Sequence, residues 1–227
     1  VLSGAGGLTK TGAGTLTLGG VQSFQGATAV QAGTLSLSGT ISNSAVTVDS
    51  GATLAGSGFL GSTLSVFGTL APGNSPGRIE ASTLTLQTTA TTVMEVVSAG
   101  TAGVDYDTVV IDATGGLTYG GALSIVFSSS SPLANGTTID LFNFTGSASG
   151  AFTTVGVSGT GDYAALTFTL AGDGSWYTGE TPGHQSLRFL PLTGDLVVVP
   201  EPSTWAMLAM AAAAAGGTVR RRRPRPA

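Results

Sequence analysis

The chain has 227 residues, of which 36 are glycine, 41% are apolar and only 9% are charged; its formal net charge is −4 and it has no cysteine. Glycine without a Gly-X-Y period excludes collagen, regular Val, Leu and Ile exclude a disordered chain, and the lack of cysteine excludes disulfides and thiolate metal sites. Residues 1–219 hold three basic residues, Lys10, Arg78 and Arg188, against all twelve acidic ones, so no basic patch is present there to bind nucleic acid.

The first ninety residues repeat. Gly14-Thr15-Leu16-Thr17-Leu18 returns as Gly33-Thr34-Leu35-Ser36-Leu37, then as Ala52-Thr53-Leu54, Gly68-Thr69-Leu70 and Ser82-Thr83-Leu84. The leucines at 16, 35, 54, 70 and 84 are spaced by 19, 19, 16 and 14 residues. One short alternating strand per unit of about twenty residues is the pattern of a solenoid, in which neighbouring units stack to bury a face that none can bury alone. The spacing predicts that Leu16, Leu35 and Leu54 form one inward column, with glycine at the corners between strands. A parallel β-helix fits better than a sandwich, although hairpins produce similar patterns.

The residues Gly7-Leu8-Thr9-Lys10-Thr11-Gly12-Ala13-Gly14-Thr15-Leu16-Thr17-Leu18, followed by a strand from Ala27 to Gln31 and then Ala32-Gly33-Thr34-Leu35, resemble the autotransporter-associated β-strand repeat. That resemblance implies a right-handed parallel β-helix on a surface protein. No outer-membrane barrel pattern follows it.

Leu70-Ala71-Pro72-Gly73-Asn74-Ser75-Pro76-Gly77 reads as a dense turn and is similar to the corner that ends such arrays. Beyond it, strands are expected at Thr92–Val97, Asp107–Asp112, Leu117–Phe127, Thr138–Phe144, Ala151–Val157 and Ala164–Leu170. Gly172 to Gln185 reads as an exposed loop, and Ser186–Leu192 and Asp195–Val199 as the last strands. The aromatic residues cluster after Tyr106, which predicts a bulky β-rich cap on the open end of the solenoid. The expected division is therefore residues 1–91 as solenoid repeats, 92–198 as continuation and cap, and 199–227 as a tail.

Residues with chemistry are sparse. His184 is the only histidine and sits in a Thr-Pro-Gly-His segment, so a Ser-His-Asp triad or a histidine metal site finds little support. Gly56-Ser57-Gly58-Phe59-Leu60-Gly61 matches a dinucleotide fingerprint by letter, but a strand pattern follows where a helix is needed. Asp105, Asp107 and Asp112 form the densest acidic group; paired carboxylates serve hydrolysis or calcium, but at strand ends solvated side chains are the expectation. Trp176 and Tyr177 are the one adjacent aromatic pair suited to a sugar. No catalytic residue, metal ligand or cofactor is assigned.

The tail has three blocks. Val199, Pro200, Glu201, Pro202, Ser203 and Thr204 come first; the prolines fix φ, remove donors and stop a strand. An apolar run follows: Trp205, Ala206, Met207, Leu208, Ala209, Met210, the alanines Ala211, Ala212, Ala213, Ala214 and Ala215, then Gly216, Gly217, Thr218 and Val219. This run predicts a single short helix of about 22 Å, less than a hydrocarbon core of about 30 Å. Arg220, Arg221, Arg222 and Arg223 then mark a cytoplasmic face. The three blocks in this order resemble the PEP-CTERM sorting signal of Gram-negative bacteria. The resemblance implies recognition and processing by an exosortase, an integral-membrane enzyme. It also implies transient anchoring in the inner membrane with a cytoplasmic C-terminus, and delivery to the cell surface or extracellular matrix. Because an exported protein begins with a signal peptide, a segment upstream of Val1 is expected.

The combined expectation is an all-β, non-catalytic exported protein with a setting in exopolysaccharide and biofilm, and extracellular polysaccharide as a partner. The alternatives are a polysaccharide lyase or hydrolase on the same scaffold, which needs clustered Asp, Lys and Arg, and a glycan-binding adhesin, which needs exposed aromatics.

Overall fold

A Thr-Leu-x-Leu segment in an extended chain sends its leucines to one side and its hydroxyls to the other. In the computed structural model, which describes residues 1–73, 75–112, 114–181 and 183–200, these segments become strands that stack in parallel. Thr15–Leu18, Thr34–Leu37, Thr53–Gly56, Thr69–Pro72, Thr91–Val96, Ala122–Phe127 and Thr154–Gly159 form one seven-stranded sheet. A second sheet of twelve strands carries the intervening segments in two parallel lines, and Phe59–Val66 and Arg78–Leu86 are long enough to join both. The chain alternates between the two sheets and so winds into an all-β solenoid. Parallel pairing continues past residue 91 as far as Thr154–Gly159.

The expected column is present. Leu16 pairs with Leu35, Leu35 with Leu54 and Leu54 with Leu70, and the column runs on through Thr92, Leu123 and Val155. Leu35, Leu54 and Leu70 are fully buried, whereas Leu16 on the first rung is half-buried. Burying a leucine stabilises by about 1.5–3 kcal/mol, so each added rung helps to hold its neighbours. Leu84 belongs elsewhere. Despite its similar Ser-Thr-Leu context it pairs with Leu64 and Leu117 on the other sheet, and Thr92 takes its place in the column.

Two residues of the repeat show how rungs are locked. Gly33 has φ +67°, and a Cβ there would lie 2.5 Å from the carbonyl oxygens of both Gly12 and Gly14 on the preceding rung. Only glycine allows this approach. Lys10 is buried, and its ammonium donates to the carbonyls of Thr11 at 3.0 Å, Gly12 at 2.7 Å and Ala32 at 2.9 Å. All three of its donors are thus satisfied by main chain across the same corner.

The far end is closed by a five-stranded antiparallel sheet in the order Thr138–Asp140, Asp195–Pro200, Gln185–Leu190, Trp176–Thr178 and Phe168–Leu170. Between it and the last rungs lie Tyr119, Phe142, Phe152 and Phe189, with ring centroids 4.9–6.3 Å apart. Edge-on and tilted contacts of this kind add to simple burial.

Several expected strands are divided. Leu117–Tyr119 and Ala122–Phe127 lie on different sheets, separated by a turn at Gly121 with φ +67°. Thr138–Asp140 joins the cap while Phe142–Asn143 joins the solenoid, and the expected Ala151–Val157 is found as a strand from Thr154 to Gly159. Of the expected Ala164–Leu170, only Phe168–Leu170 is strand. The expected exposed loop from Gly172 to Gln185 contains the cap strand Trp176–Thr178, and Ser175, Trp176, Thr178 and Thr181 are buried. Its glycines bound a short strand that the aromatic face of Trp176 draws into the core. Among the described residues no helix is long and apolar enough to cross a membrane. The expected helix Trp205–Val219 and the Arg220–Arg223 block lie outside the described residues.

Candidate functional site

The junction between cap and tail is built by the last two strands. Gln185–Leu190 and Asp195–Pro200 pair along their whole length, so Val199 stands opposite Ser186 and Pro200 opposite Gln185. Val198 is fully buried; its N–H donates to the Thr137 carbonyl at 2.8 Å and its carbonyl accepts from Gly136 at 2.9 Å. The first two residues of the expected sorting block, Val199 and Pro200, are therefore sheet residues. Pro200 is the last described residue of this strand. Glu201, Pro202, Ser203 and Thr204 lie outside the described residues.

Beneath the junction is a buried polar network that composition and spacing gave no sign of. Gln185 donates through Nε2 to the Leu133 carbonyl at 2.8 Å and to Asn135 Oδ1 at 2.6 Å, and its Oε1 accepts from the Tyr163 hydroxyl at 2.7 Å. These bonds bind the 133–137 loop and the 181–185 segment into one rim around Pro200. His184 lies on that rim with φ 58°, exposed, its Nδ1 3.4 Å from a Glu180 carboxylate oxygen. The described residues hold no group of three or more His, Cys, Asp or Glu placed to bind a metal.

The three clustered aspartates do different work. Asp112 is exposed at a strand end. Asp105 accepts from the Thr101 N–H at 2.6 Å and the Ser98 hydroxyl at 2.8 Å, bonds that hold its carboxyl below the usual range. Asp107 departs from the expected solvated strand-end reading: it is 3% exposed. Its Oδ1 accepts from the Gly77 N–H at 2.6 Å and its Oδ2 from the Glu95 N–H at 2.7 Å. Burial pushes its carboxyl up to about 6, against the pull of these two N–H donors, and the nearby charge of Glu95 adds to the rise. Asp107 ties the Pro-Gly corner at Gly77 to the strand Thr91–Val96 through Glu95.

A cleft of about 400 Å³ opens beside this corner, lined by Ala71, Pro72, Gly73, Ser75, Val93, Glu95, Asp107 and Val126. Its polar groups satisfy one another: Ser75 Oγ donates to the Glu95 carboxylate, and both Asp107 oxygens accept from main chain. A second cleft of about 380 Å³ lies at the opposite end of the cap, between Ala151 and Leu190–Leu192. Its Arg188 binds Asp173 at 2.5 Å and Ser175 Oγ at 3.1 Å. The Ser175 hydroxyl and N–H, with Arg188, hold the Asp173 carboxyl below its usual range.

The remaining candidates are structural. Gly56 has φ +101°, and its N–H and carbonyl both bond to Gly73 across neighbouring rungs; the segment after it is the strand Phe59–Val66. Trp176 and Tyr177 alternate on a strand, so Trp176 is buried and only Tyr177, 46% exposed, faces solvent.

Comparison with known proteins agrees with this geometry at both ends. Residues 8–37, the first two rungs with the Lys10 clamp and Gly33, match the passenger-associated-transport-repeat. Residues 198–223, from the buried Val198 to the arginine block, match the PEP-CTERM protein-sorting motif. No protein of curated function matches the chain. The chain is thus a β-solenoid that matches the passenger-associated-transport-repeat over residues 8–37 and the PEP-CTERM protein-sorting motif over residues 198–223, and the latter indicates an exosortase-targeted exported protein sorted through the membrane to the cell surface.

Proposed function

We propose that the protein is a non-catalytic structural component of the cell surface or extracellular matrix, handed over by an exosortase in a setting of exopolysaccharide and biofilm production. One observation carries this reading. The three basic side chains of the described residues are all committed: Lys10 to three carbonyls, Arg78 to Glu80 at 2.7 Å and Arg188 to Asp173. In the cleft that Glu95 and Asp107 both line, both Asp107 oxygens accept from main chain and a Glu95 oxygen accepts from Ser75, so these carboxylates serve the corner itself. A solenoid whose polar groups serve its own corners is suited to being a spacer or scaffold. Purified residues 1–200 should release no oligosaccharide from a panel of neutral and acidic polysaccharides. Release that disappears in Asp107→Asn would establish the enzyme reading instead.

A glycan-binding role has one observation in its favour. Tyr177 and Arg188 are register partners on the cap sheet, so an exposed ring lies beside a guanidinium. Retention of the protein on immobilised polysaccharide, lost in Tyr177→Ala, tests it.

A further inference from the structure

The sorting motif does not begin on a linker. Its match starts at Val198, which is buried between the 136–137 loop and the neighbouring strand, and the cap sheet runs on to Pro200. Four residues, Glu201 to Thr204, separate Pro200 from the apolar run that opens at Trp205. Even fully extended, the chain from Pro200 to Trp205 reaches no more than about 18 Å. A folded cap on so short a tether meets any membrane-embedded enzyme that acts on the tail, and the tether decides which part of the cap makes the contact.

That part is the rim at the Pro200 end. Asn135, Gly136, Glu180 and His184 are exposed there, and the Gln185 and Tyr163 bonds beneath hold the rim as one piece. The other end of the same strand, at Asp195 and the adjoining Leu192, points away from the tail. The rim carries the Glu180 carboxylate and no lysine or arginine among its described residues, so it lacks the basic charge that draws a surface onto anionic lipid. Its exposed asparagine, glycine and histidine suit a hydrogen-bonding protein partner better.

We infer that this rim is the surface on which the folded protein docks against the extracytoplasmic face of its exosortase, so that the enzyme meets a folded cap together with the linear motif. The inference rests on the reading that an exosortase processes the tail.

The test is site-specific photocrosslinking in the full chain, co-expressed with its exosortase, with the crosslinking residue placed at His184 or, as a control, at Leu192, which is 82% exposed. The expected result is an exosortase adduct from position 184 and none from 192. A Gly-Ser linker of about 16 residues inserted after Pro200, with a root-mean-square reach of about 20–24 Å, should weaken the adduct several-fold. Equal adducts from both positions, lipid adducts alone from position 184, or an adduct that the linker leaves unchanged would overturn the docking surface. Mass spectrometry of the C-terminal peptide separates the two levels. Tail removal without an adduct from position 184 defeats the docking alone, whereas tails intact on all exported molecules defeat the processing reading and the docking with it.

Discussion

The Tyr163 hydroxyl donates to Oε1 of Gln185 at 2.7 Å while accepting the Leu133 N–H at 3.0 Å. One buried oxygen thereby joins the segment after the last solenoid rung to the cap and to the loop beside the tail. Its ring also packs on Phe127, with centroids 4.7 Å apart, so the same residue belongs to the apolar core and to the polar rim. Tyr163→Phe keeps the ring and removes only the oxygen. It should lower stability by about 1–3 kcal/mol, the cost of leaving a buried donor and acceptor without partners. Urea denaturation measures the loss. Hydrogen exchange should show the Leu133 amide losing protection before the solenoid amides; unchanged protection there would mean that the network does not hold the rim.

Asp107 makes stability depend on pH in the direction opposite to an ordinary ion-paired carboxylate. Its folded pKa, about 6, lies above the reference value of 3.8, so the folded state holds the proton more tightly than the unfolded state. Its contribution is therefore fully present below pH 4 and is lost as pH rises through 6. The shift corresponds to about 2–3 kcal/mol. Asp105 and Asp173, both lowered, act in the opposite sense, so the comparison must be made against a variant. Asp107→Asn removes the titration and turns an NH2 group toward one of two main-chain N–H donors. It should be destabilised by about 1–3 kcal/mol near pH 4 and show a smaller loss between pH 4 and 7. Denaturation midpoints of both proteins across that range decide it.

The leucine column contains one misfit. Thr92 is fully buried between Leu70 and Leu123, and its hydroxyl has no hydrogen-bond partner. Thr92→Val keeps the shape and removes the unpaired oxygen, so it should raise stability by about 1 kcal/mol. Leu54→Ala, in the same column, should cost about 2–5 kcal/mol, and Leu16→Ala on the half-buried first rung distinctly less. Thermal denaturation of the three variants tests the order; equal losses at Leu16 and Leu54 would contradict the stacking.

The Lys10 clamp predicts a local failure. Lys10→Met retains the aliphatic stem and leaves three carbonyls short of a donor, at an expected cost of about 1–3 kcal/mol. The loss should be confined to the first two rungs, since a solenoid's stability is summed over neighbouring units. Limited proteolysis should then cut within residues 8–37 while the cap stays intact.

How much of this was legible in the sequence varied with how local each feature is. The tail could be read because its order of blocks is its chemistry, and the early rungs because Leu16, Leu35, Leu54 and Leu70 recur at nearly constant spacing in one local context. Leu84 shows where that reasoning ends. Its Thr-Leu context is shared by strands of both sheets, and insertions at corners lengthen the later rungs, so from Thr69 the first-sheet strands start at Thr91, Ala122 and Thr154. Once rung length varies, periodicity no longer identifies a face; only contact with the rung below does. The cap was hidden for the same reason. Trp176 lies among glycines that locally favour a loop, and it becomes a strand residue because Phe189 and Leu170 stand beside it across the sheet.

By itself the sequence determined the repeat, the all-β character and the sorting motif, since each is set by neighbouring residues acting within a few ångströms along the chain. The tertiary structure decided that Asp107 is buried and tied to a corner thirty residues away, that Gln185 is the hub of a polar rim, and that the folded sheet extends into the sorting motif as far as Pro200. Those properties depend on which distant segments come to lie alongside, and burial and hydrogen-bond partners exist only once the rungs have stacked.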